Sequence, residues 1–363
     1  MKRRNLILGL LMVTCLAFTG CKKDEPKVEA EPKPEPALEI EIPEEPEVKE
    51  IPANQNLLTG VPDLSEGAIG KRPTAVMVNN TAPALPQYGI DKADIIFEIP
   101  VEGNETRFMA MYADYTTLPQ ICSIRSCRYY FPAISQGFDA FYVNWGIDES
   151  MDHYLAALEM DQFDAMYNPG GLFDRDADRR AQGFALEHTG YFNGPAFAGY
   201  LESAGVRTDL NEDKKVPAFQ FQPLDEVEQP DGDACTSVGI NFGAVSAQFA
   251  YDAEQDVYKK SHNNNPQVDG ISGEQLAFTN VFVLETSIST RDEVDHKAVD
   301  WDGGPEAVGY YISNGAVQKI SWQKEPDNEK SFMKFYDEQG DELVINRGKS
   351  YIAINYPGQA TFE

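Results

Sequence analysis

The chain has 363 residues, with 59 Asp and Glu against 30 Lys and Arg and a formal net charge of −29. A body this acidic repels nucleic-acid phosphates and anionic bilayer surfaces, which excludes DNA or RNA as a partner. None of its five cysteines falls in a CxxC, zinc-ligand or catalytic-cysteine pattern.

Residues 1–20 read as a signal peptide. Lys2, Arg3 and Arg4 precede an apolar run from Leu6 to Phe18, long enough for a secretory signal and short for a bilayer span. The run closes on Phe18-Thr19-Gly20-Cys21, which resembles a lipobox, although an aromatic stands where Leu is usual. Cleavage there makes Cys21 the lipidated N-terminus. Residues 21–53 continue as a Pro- and Glu-rich stretch with no apolar face. Such a stretch cannot offset its chain entropy by burial, and its carboxylates keep it extended. It reads as a disordered tether between membrane and folded body.

From 54 to 210, apolar runs alternate with helical patterns. The strands are RPTAVMVNN (72–80), ADIIFEIPVEG (93–103), TRFMAMYADY (106–115), QICSIRS (120–126) and DAFYVNWG (139–146). Helical spacing marks RYYFPAISQGF, DESMDHYLAALEM (148–160) and GPAFAGYLESAG (194–205), the last with Gly205 after its end. This alternation predicts an α/β layered domain. From 211 to 363 the patterns are mainly antiparallel β, with a hairpin signal at the Asn-Gly of AVGYYISNGAVQKISW. The whole is an α+β chain of two domains.

The segment CSIRSCRYYF (122–131) concentrates cation and aromatic in this acidic chain. Arg107, Arg125 and Arg128 fall at or beside strand ends, so three guanidiniums converge if those strands are neighbours. Planar forks suit carboxylate or phosphate. Two readings stand: an anion site that includes Ser126, or a polar network neutralised by Glu98, Glu102 and Glu105. Cys122 and Cys127 either close a small disulfide loop, which requires a sharp turn at Arg125-Ser126, or are buried thiols.

Candidate acid/base groups are Glu102, His188 and His153, the last sharing a helix face with Glu149. His262 and His296 read as turn and surface residues. FDRDADRRAQG has Asp174, Asp176 and Asp178 at calcium-loop spacing but Arg179 and Ala185 at the sixth and twelfth positions, so it fails the pattern. No motif calls for a metal or cofactor. A nucleophile elbow, a phosphate loop and a dinucleotide fingerprint are all missing.

NLLTGVP, KRPTAVMVNN, ADIIFEIPVEGNETRFMAMY, SIRSCRYYF and DAFYVNWG, followed in order by FAYDAEQDVYKKSHNNNPQVDGISGEQLAFTNVFVLE and ISNGAVQKISWQKEPDNEKSFMKFYDEQGDELVINRGKSYIAI, resemble the YerB-like bacterial lipoproteins. The similarity runs nearly throughout residues 56–357. That resemblance implies an extracytoplasmic compartment and two domains, in a family of unassigned biochemical function. Two departures stand out. Asn144 occupies a position where the family usually has His, and His188 in ALEHTGYF is the counterpart of a family Pro-His-Asn.

The sequence therefore predicts a membrane-tethered lipoprotein outside the cytoplasm. Its expected role is non-enzymatic binding of a cell-envelope component or partner protein, with Arg107, Arg125, Ser126 and Arg128 as the anion site. The alternatives are an envelope enzyme acting on a phosphorylated or glycan substrate and a structural scaffold.

Overall fold

The computed structural model describes residues 51–147 and 158–363. Residues 1–50, with Cys21 and the tether, and 148–157, with His153, lie outside the described residues.

Strand Thr74–Asn79 is buried along its whole length, as are Ile95–Pro100, Thr106–Tyr112 and Ser350–Asn355. A strand buried on both faces needs apolar residues at successive positions, and these β-rich runs supply them. Side chains alternate between two cores. Val76, Val78, Ile96, Phe108 and Ala110 enter one; Ala75, Met77, Ile95, Phe97, Met109 and Met111 enter the other.

These strands belong to one mixed sheet of eleven. Its order is Asp233–Ala234, Ala316–Gln323, Gly303–Ser313, Asn280–Glu285, Ser350–Asn355, Ile95–Pro100, Thr106–Tyr112, Thr74–Asn79, Phe141–Asn144 and Gln162–Asp164, with Lys334–Tyr336 paired to Ala316–Gln323. Ile95–Pro100 runs parallel to Ser350–Asn355, from Ile95 opposite Ser350 to Glu98 opposite Ala353. The sheet thus runs without a break across the 210/211 boundary read from the sequence. A second sheet, built around Ser237–Asn241, Ser246–Asp252 and Val257–His262, packs Val238, Ile240, Ala247, Phe249 and Tyr258 onto the first core.

The molecule is mostly β with few helices. Among the described residues the α-helices are Tyr130–Gln136, Ala177–Ala181 and Phe197–Ala204. The α/β layering expected over 54–210 is present only in part. Tyr130–Gln136 lies in the connection between the parallel strands Thr74–Asn79 and Phe141–Asn144, whereas Ile95–Pro100 and Thr106–Tyr112 form an antiparallel hairpin. The hairpin signal at Asn314-Gly315 holds: both residues have positive φ, 44° and 75°, as the tight turn between right-twisted strands demands.

Two buried carboxylates join the halves. Asp269 accepts N–H groups from Ile90 (2.7 Å) and Asp91 (3.4 Å) as well as from its own turn at Ile271 (2.8 Å). Glu98 meets Lys260 at 3.2 Å with both side chains wholly out of water. Tyr351 (2.7 Å), Asn80 (2.8 Å) and Thr106 (2.7 Å) donate to Glu98, and Lys260 donates to Gln267 (2.7 Å). Such a pair persists only where its remaining hydrogen-bonding positions are also filled.

Candidate functional site

The parallel strands Thr74–Asn79, Phe141–Asn144 and Gln162–Asp164 end on the same side of the sheet. Arg107 stands opposite Asn79 in the antiparallel neighbour, so it begins its strand at that end. Residues 122–128 cross this end. Ile124 bridges Val78, and Arg125 N–H donates to Met77 (2.9 Å). Trp145 N–H donates to the Arg125 carbonyl (3.0 Å) and Cys127 N–H to the Gly146 carbonyl (3.0 Å). The cation-rich segment is therefore stitched between two strand ends, and the three arginines gather there.

They do not have the same surroundings. Arg107 alternates with Phe108 and so points to the Met109–Met111 face. Its Nη1 donates to the Ser126 carbonyl (2.9 Å) and its Nη2 to Glu102 Oε1 (2.7 Å). Arg128 donates Nε to Glu102 Oε2 (2.9 Å), Nη2 to Glu102 Oε1, and Nη1 to the Cys127 carbonyl (2.6 Å) and Ser126 Oγ (3.3 Å). Burial alone would raise the Glu102 carboxyl; the Arg107 charge and the Arg128 contact overcome it and bring it down to about 2. Burial, then the adjacent Arg128 charge, lowers Arg107 to about 10. Glu102 is thus an anion clamped between two buried guanidiniums.

Arg125 is the open member. Its side chain is 26% exposed, and Nη1 donates to Glu187 Oε2 at 3.1 Å. Glu187 is itself 58% exposed. Among the described residues, Nε and Nη2 of Arg125 have no partner. Arg175 is a close neighbour: it donates to the Leu186 carbonyl (2.6 Å) and lies over the Trp145 ring at 3.9 Å. Burial, then the Arg125 charge, lowers the Arg175 guanidinium.

His188 is buried behind Glu187. Asn79 Oδ1 accepts the Thr81 N–H (3.0 Å), so the Asn79 amide nitrogen faces His188 Nδ1 at 3.1 Å and donates to it. The imidazole proton then sits on Nε2, 4.0 Å from Glu187 Oε1. Burial lowers the His188 pKa, with Glu187 opposing. Arg179, fully buried, donates to the carbonyls of His188 (3.0 Å), Ala84 (2.7 Å) and Pro86 (2.5 Å). It fastens the Asp-rich segment of 174–180, which ends strand Phe173–Arg175 and enters helix Ala177–Ala181, beside this end of the sheet.

Cys122 and Cys127 form no disulfide: both are free and buried. Cys122 Sγ faces the His188 carbonyl at 4.0 Å, and Cys127 Sγ receives the Tyr142 hydroxyl at 3.2 Å. Between them Ile124 bridges Val78 and Arg125 N–H bonds the Met77 carbonyl, and the two thiols face different neighbours. Burial pushes both thiols up to about 12. His262, read as a turn residue, is buried at the end of Val257–His262, with no partner for Nδ1 among the described residues. Among the described residues no group of three or more His, Cys, Asp and Glu is placed to hold a metal.

Sequence reasoning missed Asp164, Trp145, Arg175 and Glu187. Asp164 accepts the N–H groups of Gly146 (2.7 Å) and Met166 (2.9 Å) and the Asn144 amide (3.2 Å), so it organises the two strand ends. An Asp closing one short strand beside an Asn closing another was the available signal.

Fold and site define a mainly β protein of two matched regions built around one sheet. Residues 58–207 match the family model described as the N-terminal domain of a protein of unknown function, DUF3048, and residues 238–352 match the C-terminal domain of the same family. The chain belongs to the DUF3048 family. It is 27% identical over 259 residues to YerB of Bacillus subtilis (strain 168), which is described as a candidate lipoprotein, covering 70% of this chain and 73% of that one. The crystal structure of Bacillus subtilis YerB shares the fold, with a TM-score of 0.72, 24% identity, and coverage of 86% of this chain and all of the other.

Proposed function

We propose that the chain is an extracytoplasmic lipoprotein, anchored through Cys21, that binds an anionic envelope component or partner without catalysis, and that Arg125 is the contacting cation. The signal-like segment and the relative described as a candidate lipoprotein support the anchor. No described helix is long and apolar enough to cross a membrane. One observation carries the binding reading: of three converging arginines, Arg107 and Arg128 are buried and engaged by Glu102 and by Ser126 and Cys127, while Arg125 is 26% exposed and keeps two fork nitrogens without a partner among the described residues.

The enzymatic alternative needs a proton carrier. Glu102 stays ionised until about pH 2, and His188 is buried with Nδ1 engaged by Asn79. Neither of these two is suited to moving a proton near neutrality, and the third candidate, His153, lies outside the described residues. The scaffold alternative needs an open sheet edge, yet the outer strands Asp233–Ala234 and Gln162–Asp164 have two and three residues, which blunts edge pairing.

A thermal-shift screen tests the proposal on the full chain in mild detergent, using phosphorylated and carboxylated envelope fragments. Ligand at about 100 times its dissociation constant adds roughly 2.7 kcal/mol. The shift should vanish in Arg125→Ala. A shift that survives Arg125→Ala, or no shift with any fragment, sinks the reading.

A further inference from the structure

Around Arg125 lies a connected exposed patch. Glu187, on the Arg125 fork, follows Leu186, whose carbonyl holds Arg175. Arg175 covers the Trp145 ring, and Trp145 leads into Gly146. A methyl group placed on Gly146 would stand 3.7 Å from Met166 Cγ, and Tyr167 is next in the chain. Leu186, Met166 and Tyr167 are 55%, 67% and 84% exposed. Large exposed apolar side chains on the segments that flank a cation match the composition of a protein-binding surface.

The occupant of the Arg125 fork shows what shape fits it. Glu187 is a carboxylate on a short protein segment, preceded by an exposed Leu. It holds a single nitrogen of the fork at 3.1 Å and is more than half exposed, so it is easily displaced. A carboxylate that displaces it gains Nη1 together with the neighbouring Nη2 for a bidentate contact. A sugar is less well served. The Trp145 ring is covered by Arg175, and the backbone of Gly190 stands so near it that a methyl group there would lie 2.6 Å from the indole. Leu186 offers a saccharide no hydrogen bond, the Met166 thioether is a weak acceptor, and the Tyr167 hydroxyl is the one strong side-chain group among the three.

We infer that this end of the sheet takes an acidic peptide segment of a partner protein: its carboxylate replaces Glu187 on Arg125, and its apolar neighbours cover Leu186, Met166 and Tyr167. This rests on the Arg125 anion-site reading and adds the ligand class and the displaced residue.

Isothermal titration of the full chain in detergent tests it with three probes: acetyl-Leu-Glu-Leu-amide, its Leu-Gln-Leu counterpart and D-glucuronate. The acidic peptide should bind about 10-fold more tightly than its Gln counterpart, the scale of a charge-assisted contact. Glu187→Gln, which weakens the internal competitor, should tighten the acidic peptide several-fold; Arg125→Gln should weaken it about 10-fold. Binding lost in Arg125→Gln but unchanged in Glu187→Gln overturns displacement and leaves the anion site standing. Glucuronate binding without peptide binding overturns the peptide class alone. Failure of both probes overturns the inference, and the fragment screen then decides the anion site separately. If Arg125→Gln lowers the melting temperature, the Glu187→Gln arm at an exposed side chain remains decisive.

Discussion

Glu102 is the residue on which two buried arginines depend. Replacing it with Gln leaves Arg107 and Arg128 facing each other without an anion. Loss of one partner from a buried ion pair costs about 3–5 kcal/mol. Glu102 is partly exposed at 29%, so Glu102→Gln should cost about 2–3 kcal/mol, the solvent taking up the rest. Chemical denaturation measures it. The pH dependence has a definite sign. Folding lowers the Glu102 pKa from 4.5 to about 2, so its stabilisation is complete above about pH 4.5 and fades as pH falls toward 2. Glu102→Gln should flatten that limb of the melting-temperature profile; an unchanged acid limb would remove Glu102 from the account.

Among the elements, helix Phe197–Ala204 shows how local chemistry ends a segment. Gly205 takes φ 66°, and Val206 N–H closes back on the Leu201 carbonyl at 3.0 Å. A side chain at Gly205 would meet nothing within 4 Å. Gly205→Ala therefore isolates the cost of left-handed backbone for an L residue, about 1 kcal/mol. A midpoint shift in urea with unchanged slope would show it; no loss of stability would contradict the cap. This end was readable from sequence because a helix cap depends on a few consecutive residues. The same holds for the Asn314-Gly315 turn. The α/β layering expected over 54–210 is present only in part: periodicity marks strands without stating which neighbours they pair with or in which direction.

The whole molecule is organised by the pairing of Ile95–Pro100 with Ser350–Asn355, some 250 residues apart in the chain. Both cores draw residues from either side of residue 210. Separating the halves would expose two central strands and strand Glu98 and Lys260 without each other. Fragments 54–210 and 211–363, made separately, should be protease-sensitive and lack a cooperative melt, while residues 51–363 unfold in one transition. A cooperatively melting isolated half would show that the shared sheet is dispensable.

What the residues decide by themselves is local: the signal-like leader, the strand and turn chemistry, the caps, and the placement of Arg107, Arg125 and Arg128 at or beside strand ends. Each follows from torsions, charge or spacing within a short window. The tertiary structure decides which arginine stays open, because that depends on where Glu102 and Glu187 arrive from other segments. It also buries His262, separates Cys122 from Cys127 and runs one sheet through both halves. Those outcomes depend on contacts between distant parts of the chain, whose energies no local pattern encodes.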